Sequence, residues 1–199
     1  RLAPPLCAMA PRFGLFVIGD EILSGKRSDR HLPRVISLLA DRGLRLAWAH
    51  YLPDDRQALT DALQRTFASD DVVFSCGGIG STPDDHTRQA AAAALGVALS
   101  LHPQAAALIA QRCAELGQPD MSTAENRQRL TMAEFPAGAR IIPNPFNRIA
   151  GFAVARHYFV PGFPAMAWPM IESVLEADFA AHFHSEPLAE RAMLVFDVP

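Results

Sequence analysis

The stretch "DVVFSCGGIGSTPDDHTRQAAAAAL" (71–95) decides how the chain is read. "DVVFSC" (71–76) is an apolar run of strand length, the pattern of a strand covered on both faces. "GGIGSTPDDHT" (77–87) places three glycines within four residues, then a proline and two adjacent aspartates. An alanine-rich segment of helical length follows, to about Leu95. Strand, glycine-rich loop and helix in that order make one half of a βαβ unit, with the loop at the carboxyl end of a strand. Ligands of open α/β sheets bind at that end.

The same alternation extends outward. "FGLFVIG" (13–19) is a second continuous apolar run ending in glycine, and a loop carrying Asp20, Glu21, Ser24, Gly25 and Asp29 follows it. "HLPRVISLLADRG" (31–43) has apolar residues at 32, 35, 36 and 39 and a glycine stop, which predicts a helix. "LRLAWAHYL" (44–52) alternates like a strand, and "PDDRQALTDALQRTF" (53–67) reads as a helix with Asp54 or Asp55 near its cap. Further helices are expected over 103–117, 122–133 and 164–183, and short strands over 139–145, 151–155 and 157–162. Strands alternating with helices imply right-handed crossovers and a mostly parallel sheet with helices on both faces. No internal repeat or linker tract divides the chain. One α/β domain is expected over 11–183, with 184–199 a C-terminal extension whose "AMLVFDVP" reads as a strand leading into a further segment.

Composition narrows the classes. With 199 residues, one α/β domain buries roughly 70% of its unfolded surface and needs neither disulfide nor metal for stability. The net charge of −3 supplies no basic field for a nucleic-acid polymer or an anionic membrane. Cys7, Cys76 and Cys113 lie far apart, without zinc or disulfide spacing, which fits a reducing cytoplasm. Cys76, ending an apolar strand, is expected to be buried and inert. "RLAPPLCAMA" (1–10) lacks the apolar core of a signal peptide, and no run approaches the roughly 20 residues of a spanning helix.

The loop has two readings. Thr82-Pro83-Asp84-Asp85 suits a helix start, with Thr82 as N-cap, Pro83 at the first helical position and both acids complementing the helix dipole. Capping leaves Gly77, Gly78 and Gly80 unexplained. They let backbone approach a ligand closely, next to a helix N-terminus that favours an anion. Neither the Rossmann fingerprint nor a P-loop is present. Glycines prepared for phosphate sit beside carboxylates that repel it, and a cation between them resolves the conflict. Mg²⁺ is commonly held by one or two carboxylates plus phosphate oxygens. The loop therefore reads as a site for phosphate or diphosphate with Mg²⁺ or another divalent cation, with Asp84 and Asp85 as metal candidates.

"GGIGSTPDDHT" resembles the "GGxGxTxDDxT" signature of the molybdopterin-binding (MoaB/Mog-like) domain, in the form found at the N-terminus of CinA-type competence/damage-inducible proteins. "VIGDEILSGKRSDRH" (17–31), "LPDDRQAL" (52–59), "MSTAENRQRL" (121–130), "FPAGARIIPNPFNRIAGFAV" (135–154) and "VPGFPAMAWPM" (160–170) resemble further segments of that branch in order. The resemblance implies a three-layer α/β/α sandwich that binds molybdopterin or a nucleotide through phosphate, and a homo-oligomer, trimer or dimer. Related domains adenylylate molybdopterin, hydrolyse ADP-ribose or FAD at the pyrophosphate, or only bind. It assigns catalysis to Asp54 and Asp85. The ligand cradle it implies includes Gly77, Gly78, Gly80, Ser81, Thr82 and Thr87, with Pro161 and Gly162 of the "PGxP" loop, and extends to Asp20 and Asn126. Ile79, Ser81, His86 and Ala165-Met166 depart from the family pattern, the last pair removing an acid that could ligate metal. The deamidase domain of CinA-type proteins is not expected within 199 residues.

The other candidates have plainer readings beside functional ones. Asp20 and Glu21 belong either to a solvated turn or to the ligand edge. Lys26, Arg27 and Arg30 read as solvated cations, and His182-Phe183-His184 as structural. Met166 and Trp168 read as core or subunit interface. Three functions stay open: a metal-dependent nucleotide pyrophosphatase, a binding module for a pterin or nucleotide, and an oligomer that has lost the chemistry.

Overall fold

The structure, a computed structural model, describes residues 11–184. The readings placed on the first ten residues, and on "AMLVFDVP", lie outside that range. The elements in chain order are β1 (Phe13–Ile18), α1 (Asp20–Leu23), α2 (His31–Ala40), β2 (Leu46–Leu52), α3 (Arg56–Phe67), β3 (Val72–Cys76) and α4 (Thr87–Leu95). There follow β4 (Leu99–Leu101), α5 (Pro103–Glu115), α6 (Ala124–Leu130), β5 (Glu134–Pro136), β6 (Arg140–Ile142), β7 (Gly151–Val154), β8 (His157–Val160) and α7 (Pro164–Asp178).

The main sheet runs β2-β1-β3-β8-β7-β6. The first four strands are parallel, and β7 and β6 continue it antiparallel. The long apolar runs follow from two cores. In β1, Phe13, Leu15 and Val17 enter a core shared with α2 and α7, while Phe16 and Ile18 enter another shared with α3, α4 and α5. β3 and β8 split the same way: Phe74 and Tyr158 face the first core, Val73 and Phe159 the second. Period-2 alternation between two apolar layers therefore appears in the sequence as an unbroken hydrophobic run. The result is the expected three-layer α/β/α sandwich with a mostly parallel sheet. Gly14 interrupts β1 because the indole of Trp48 covers it; a Cβ there would meet the ring at 2.1 Å.

The structure corrects several boundaries. The expected loop after β1 opens with the short helix α1. The expected helix over 122–133 ends at Leu130 and continues as one 3₁₀ turn. That over 164–183 ends at Asp178, with a 3₁₀ turn at Ala180–His182. The small antiparallel sheet of β4 and β5 was not foreseen; each strand has three residues, too few to display a period. Among the described residues no helix is long and apolar enough to cross a membrane.

Candidate functional site

The carboxyl ends of β1 and β3 lie side by side, as their parallel pairing requires, and β8 adjoins β3. The connections leaving these strands surround a cleft of about 430 Å³. Gly77, Gly78, Gly80, Ser81 and Thr82 line it, together with Asp54, Asp84 and Asp85 and with Pro161 and Gly162. Candidates from three separate loops thus line one cleft, while Thr87, Asp20 and Asn126, also expected in the cradle, do not line it.

The glycine loop is built from the chain's own close contacts. Gly77 and Gly78 have φ of 113° and 67°, which disfavour any side chain. A Cβ at Gly77 would lie 2.5 Å from the Ile18 carbonyl oxygen, one at Gly78 2.2 Å from Thr87 Oγ1, and one at Gly80 2.6 Å from Asp85 Oδ2. The glycines are therefore demanded by the loop's own packing. Gly77 N–H donates to the Val160 carbonyl at 3.0 Å, joining the loop to β8.

The expected helix start is corrected here. Thr82 does not cap α4 and Pro83 is not helical; α4 begins at Thr87, with His86 as N-cap residue. Fully buried Thr87 donates through its hydroxyl to Gly77 O at 3.2 Å and through its N–H to Gly78 O at 3.0 Å. Arg88, also buried, donates through Nη1 to Ile79 O. Those ties seat the helix on the glycine loop and leave 82–85 as a separate turn. Asp85 Oδ2 accepts from Thr82 N at 2.8 Å and Thr82 Oγ1 at 2.5 Å, and Asp85 N–H donates to Thr82 O at 3.1 Å. Gln128 Nε2 holds the loop from outside, donating to Ser81 O at 2.5 Å.

Asp20 and Asp54 clasp the loops after β1 and β2. Asp20 N–H donates to Asp54 Oδ2 at 2.9 Å, and Asp54 N–H donates to Asp20 Oδ1 at 3.3 Å. Partial burial pushes the Asp54 carboxyl above its ordinary value, and the negative charges of Asp20, Glu21 and Asp84 push the same way against the lowering hydrogen bond from Asp20. Asp84 shifts the other way, held below its ordinary value first by the Thr82 hydroxyl, and Arg27 brings a positive charge to the same lining. Among the described residues no three His, Cys, Asp or Glu side chains converge to hold a metal ion. A cation here would take one or two of these carboxylates and complete its shell with ligand or water oxygens, the usual habit of Mg²⁺.

Asn126 lies apart from the cleft lining. It is buried, and its Nδ2 donates to the carbonyls of Gln118 at 2.8 Å and Asp120 at 2.9 Å. Asp20 is exposed, outside the lining, and reaches it through Asp54. Buried Cys76 has its thiol pushed up by burial. Met166, read as core or subunit interface, lines the cleft. Arg27, read as solvated, also lines it and pairs with Glu21 at 3.6 Å. Sequence reasoning missed Asn144, Asn147 and Ile149, which fell inside or beyond a stretch read as strand. It also missed His31, whose Nε2 lies 2.9 Å from Gly162 O. The Asn-Pro dipeptide at 144–145 was the available turn signal.

The family model "Probable molybdopterin binding domain" matches residues 14–181. A CinA-like protein of Citrifermentans bemidjiense is 34% identical over 178 residues, covering 87% of this chain and 42% of that protein. One from an Anaeromyxobacter species is 34% identical over 185 residues, covering 91% and 44%. The chain thus spans less than half the length of these relatives. The crystal structure of CinA from Thermoplasma acidophilum superposes with a TM-score of 0.72 at 27% identity, over 84% of this chain and 97% of that one. MoaB of Thermus thermophilus, at TM-score 0.52 and 19% identity, covering 86% and 93%, shares the fold. The chain belongs to the molybdopterin-binding domain family, in its CinA-like branch, and corresponds to the N-terminal domain of CinA-type proteins.

Proposed function

We propose that the cleft binds a pterin or nucleotide through a phosphate or diphosphate seated on loop 77–87. The observation that carries this reading is the meeting of that loop with the carboxylates of Asp54, Asp84 and Asp85 around one cavity. A bare anion site would not be lined by several carboxylates. A divalent cation, when bound, supplies the charge that lets phosphate and carboxylate share the cleft. Asp84 and Asp85 are its nearest candidates on the loop. Asp85 has Oδ2 engaged by Thr82, so the turn fixes the carboxylate's direction before any ligand arrives. Molybdopterin is one candidate ligand, as the names of the matching family and of MoaB suggest.

A second reading, metal-dependent hydrolysis of a nucleotide pyrophosphate such as ADP-ribose or FAD, is favoured by Asp54. A carboxylate whose proton affinity is raised beside a diphosphate site is suited to orient an attacking water and accept its proton. The P–O–P bond would break as water oxygen attacks one phosphorus, and two phosphomonoesters would leave.

The test is calorimetric titration of wild type and Asp85→Asn with ADP-ribose and inorganic pyrophosphate, with and without Mg²⁺, and chromatography of the mixtures. We expect Asp85→Asn to weaken Mg²⁺-dependent binding by at least about tenfold. Unchanged or tighter binding would reduce Asp85 to a turn residue. Two phosphomonoester products from ADP-ribose would establish the second reading.

A further inference from the structure

Part of the cleft wall carries no acid. Met132, Ile149, Ala150, Phe163 and Met166 line the cleft as well, with Asn144 and Asn147, and Asn147 touches Met166 and Ile149 directly. An apolar wall with a few placed polar groups suits the uncharged, flat part of a ligand.

The two amides differ. Asn144 is buried and fully engaged: Nδ2 donates to Asn147 Oδ1 at 2.8 Å and Ile149 O at 3.0 Å, and Oδ1 accepts from Phe146 N at 3.0 Å. It holds the 144–149 loop closed, together with Arg148 N–H donating to Asn144 O at 3.0 Å. Asn147 Oδ1 accepts from Asn144 Nδ2 and, at 3.0 Å, from Ile149 N. A backbone N–H can only donate, so these bonds fix which way the Asn147 amide faces. Its Nδ2 then meets Met166 Sδ at 3.3 Å. An amide nitrogen carries two hydrogens, and a thioether is a weak acceptor. Asn147 therefore holds an oriented donor, only weakly partnered, beside Met166 and Ile149 in the cleft wall.

We propose that Asn147 is a specificity-determining residue. Its Nδ2 donates to a ring nitrogen or ring carbonyl of a fused nitrogen heterocycle lying along Ile149 and Met166, whose diphosphate reaches the glycine loop. The inference rests on the phosphate reading of the cleft and adds which residue selects the ring. A ring presenting only C–H there would leave the donor desolvated and unpaired, the kind of mismatch by which sites reject analogues.

Purines and pterins share this chemistry, so the test separates them. Binding of ADP-ribose, 6-hydroxymethyl-7,8-dihydropterin diphosphate and inorganic pyrophosphate is measured with Mg²⁺ by calorimetry. Wild type is compared with Asn147→Asp, which keeps the acceptor for Ile149 and removes the donor, and with Asn147→Ser, which shortens the side chain without adding charge. Pyrophosphate reports any general repulsion or loosening of the loop. We expect at least one ring-bearing ligand to lose about tenfold more affinity than pyrophosphate in both variants. The ligand showing that excess identifies the ring. Equal losses across the probes would overturn the role of Asn147. So would a wild type that binds both ring-bearing ligands no better than pyrophosphate. A wild type that binds none of the three would overturn the phosphate reading beneath it, and this inference with it.

Discussion

Asp54 is a carboxylate whose charge the fold accommodates at a cost. Partial burial and its acidic neighbours raise its proton affinity, so at neutral pH its charge is less welcome in the folded chain than in the unfolded one. A raised folded-state value means the stabilising contribution is complete below the ordinary 3.8 and is lost as pH climbs through the folded value. Asp54→Asn keeps an oxygen to accept from Asp20 N–H while deleting the charge. The variant should therefore be more stable than wild type at pH 7, and the difference should shrink as pH falls toward 3.8. Urea titrations at pH 7 and pH 4 decide; a variant less stable at pH 7 would show that the carboxylate is a structural partner rather than a strained functional group. Such a stability gain on removing an acid is the behaviour expected of a residue held for its chemistry.

At the scale of elements, the junction of β3 and α4 divides what the sequence could reveal from what it could not. The strand was legible because alternation between two apolar cores leaves a continuous run. The glycines were read as a close approach to a ligand, whereas the close contacts the structure shows are with Ile18, Thr87 and Asp85. The helix start was misplaced because Thr-Pro-Asp-Asp satisfies every local rule for a cap, while the true start is set by tertiary bonds from Thr87 and Arg88 to carbonyls nine or ten residues back. No local pattern encodes those partners. Asn147 was missed and Met166 placed elsewhere for the same reason, since their meeting in the cleft wall depends on α7 packing against the 143–150 loop. The bonds at Thr87 predict a local effect. Thr87→Val preserves shape but leaves the buried Gly77 carbonyl without that hydroxyl donor. It should cost about 1–3 kcal/mol of stability and speed amide hydrogen exchange in residues 78–86 relative to α7. A uniform change across the chain, or none, would mean the hydroxyl does not hold the loop.

At the scale of the molecule, the cleft takes residues from Ile18 to Met166, so the site exists only when the whole sheet is assembled. What holds the sheet at low pH is then also what holds the site. His157 in β8 is fully buried, with Nδ1 2.9 Å from Ala155 O, Nε2 2.8 Å from Thr66 Oγ1 and the Phe67 ring centroid 4.1 Å away. Burial pushes its value down to about 4 from the ordinary 6.5. Between those values the unfolded chain binds a proton that the folded chain refuses, so stability falls as pH is lowered from 6.5 toward 4. The full effect of one such group is about 3 kcal/mol. His157→Gln can keep a hydrogen bond to Thr66 but cannot titrate. Its own stability at pH 7 need not match wild type; the informative quantity is the slope. Over pH 4 to 6.5 the wild type should lose markedly more stability than the variant, and ligand affinity in the cleft should hold until unfolding begins. Parallel stability–pH curves for the two proteins would remove His157 as the acid-sensitive group. If the cleft lost affinity well before the sheet unfolded, its acids, rather than His157, would be limiting its use at low pH.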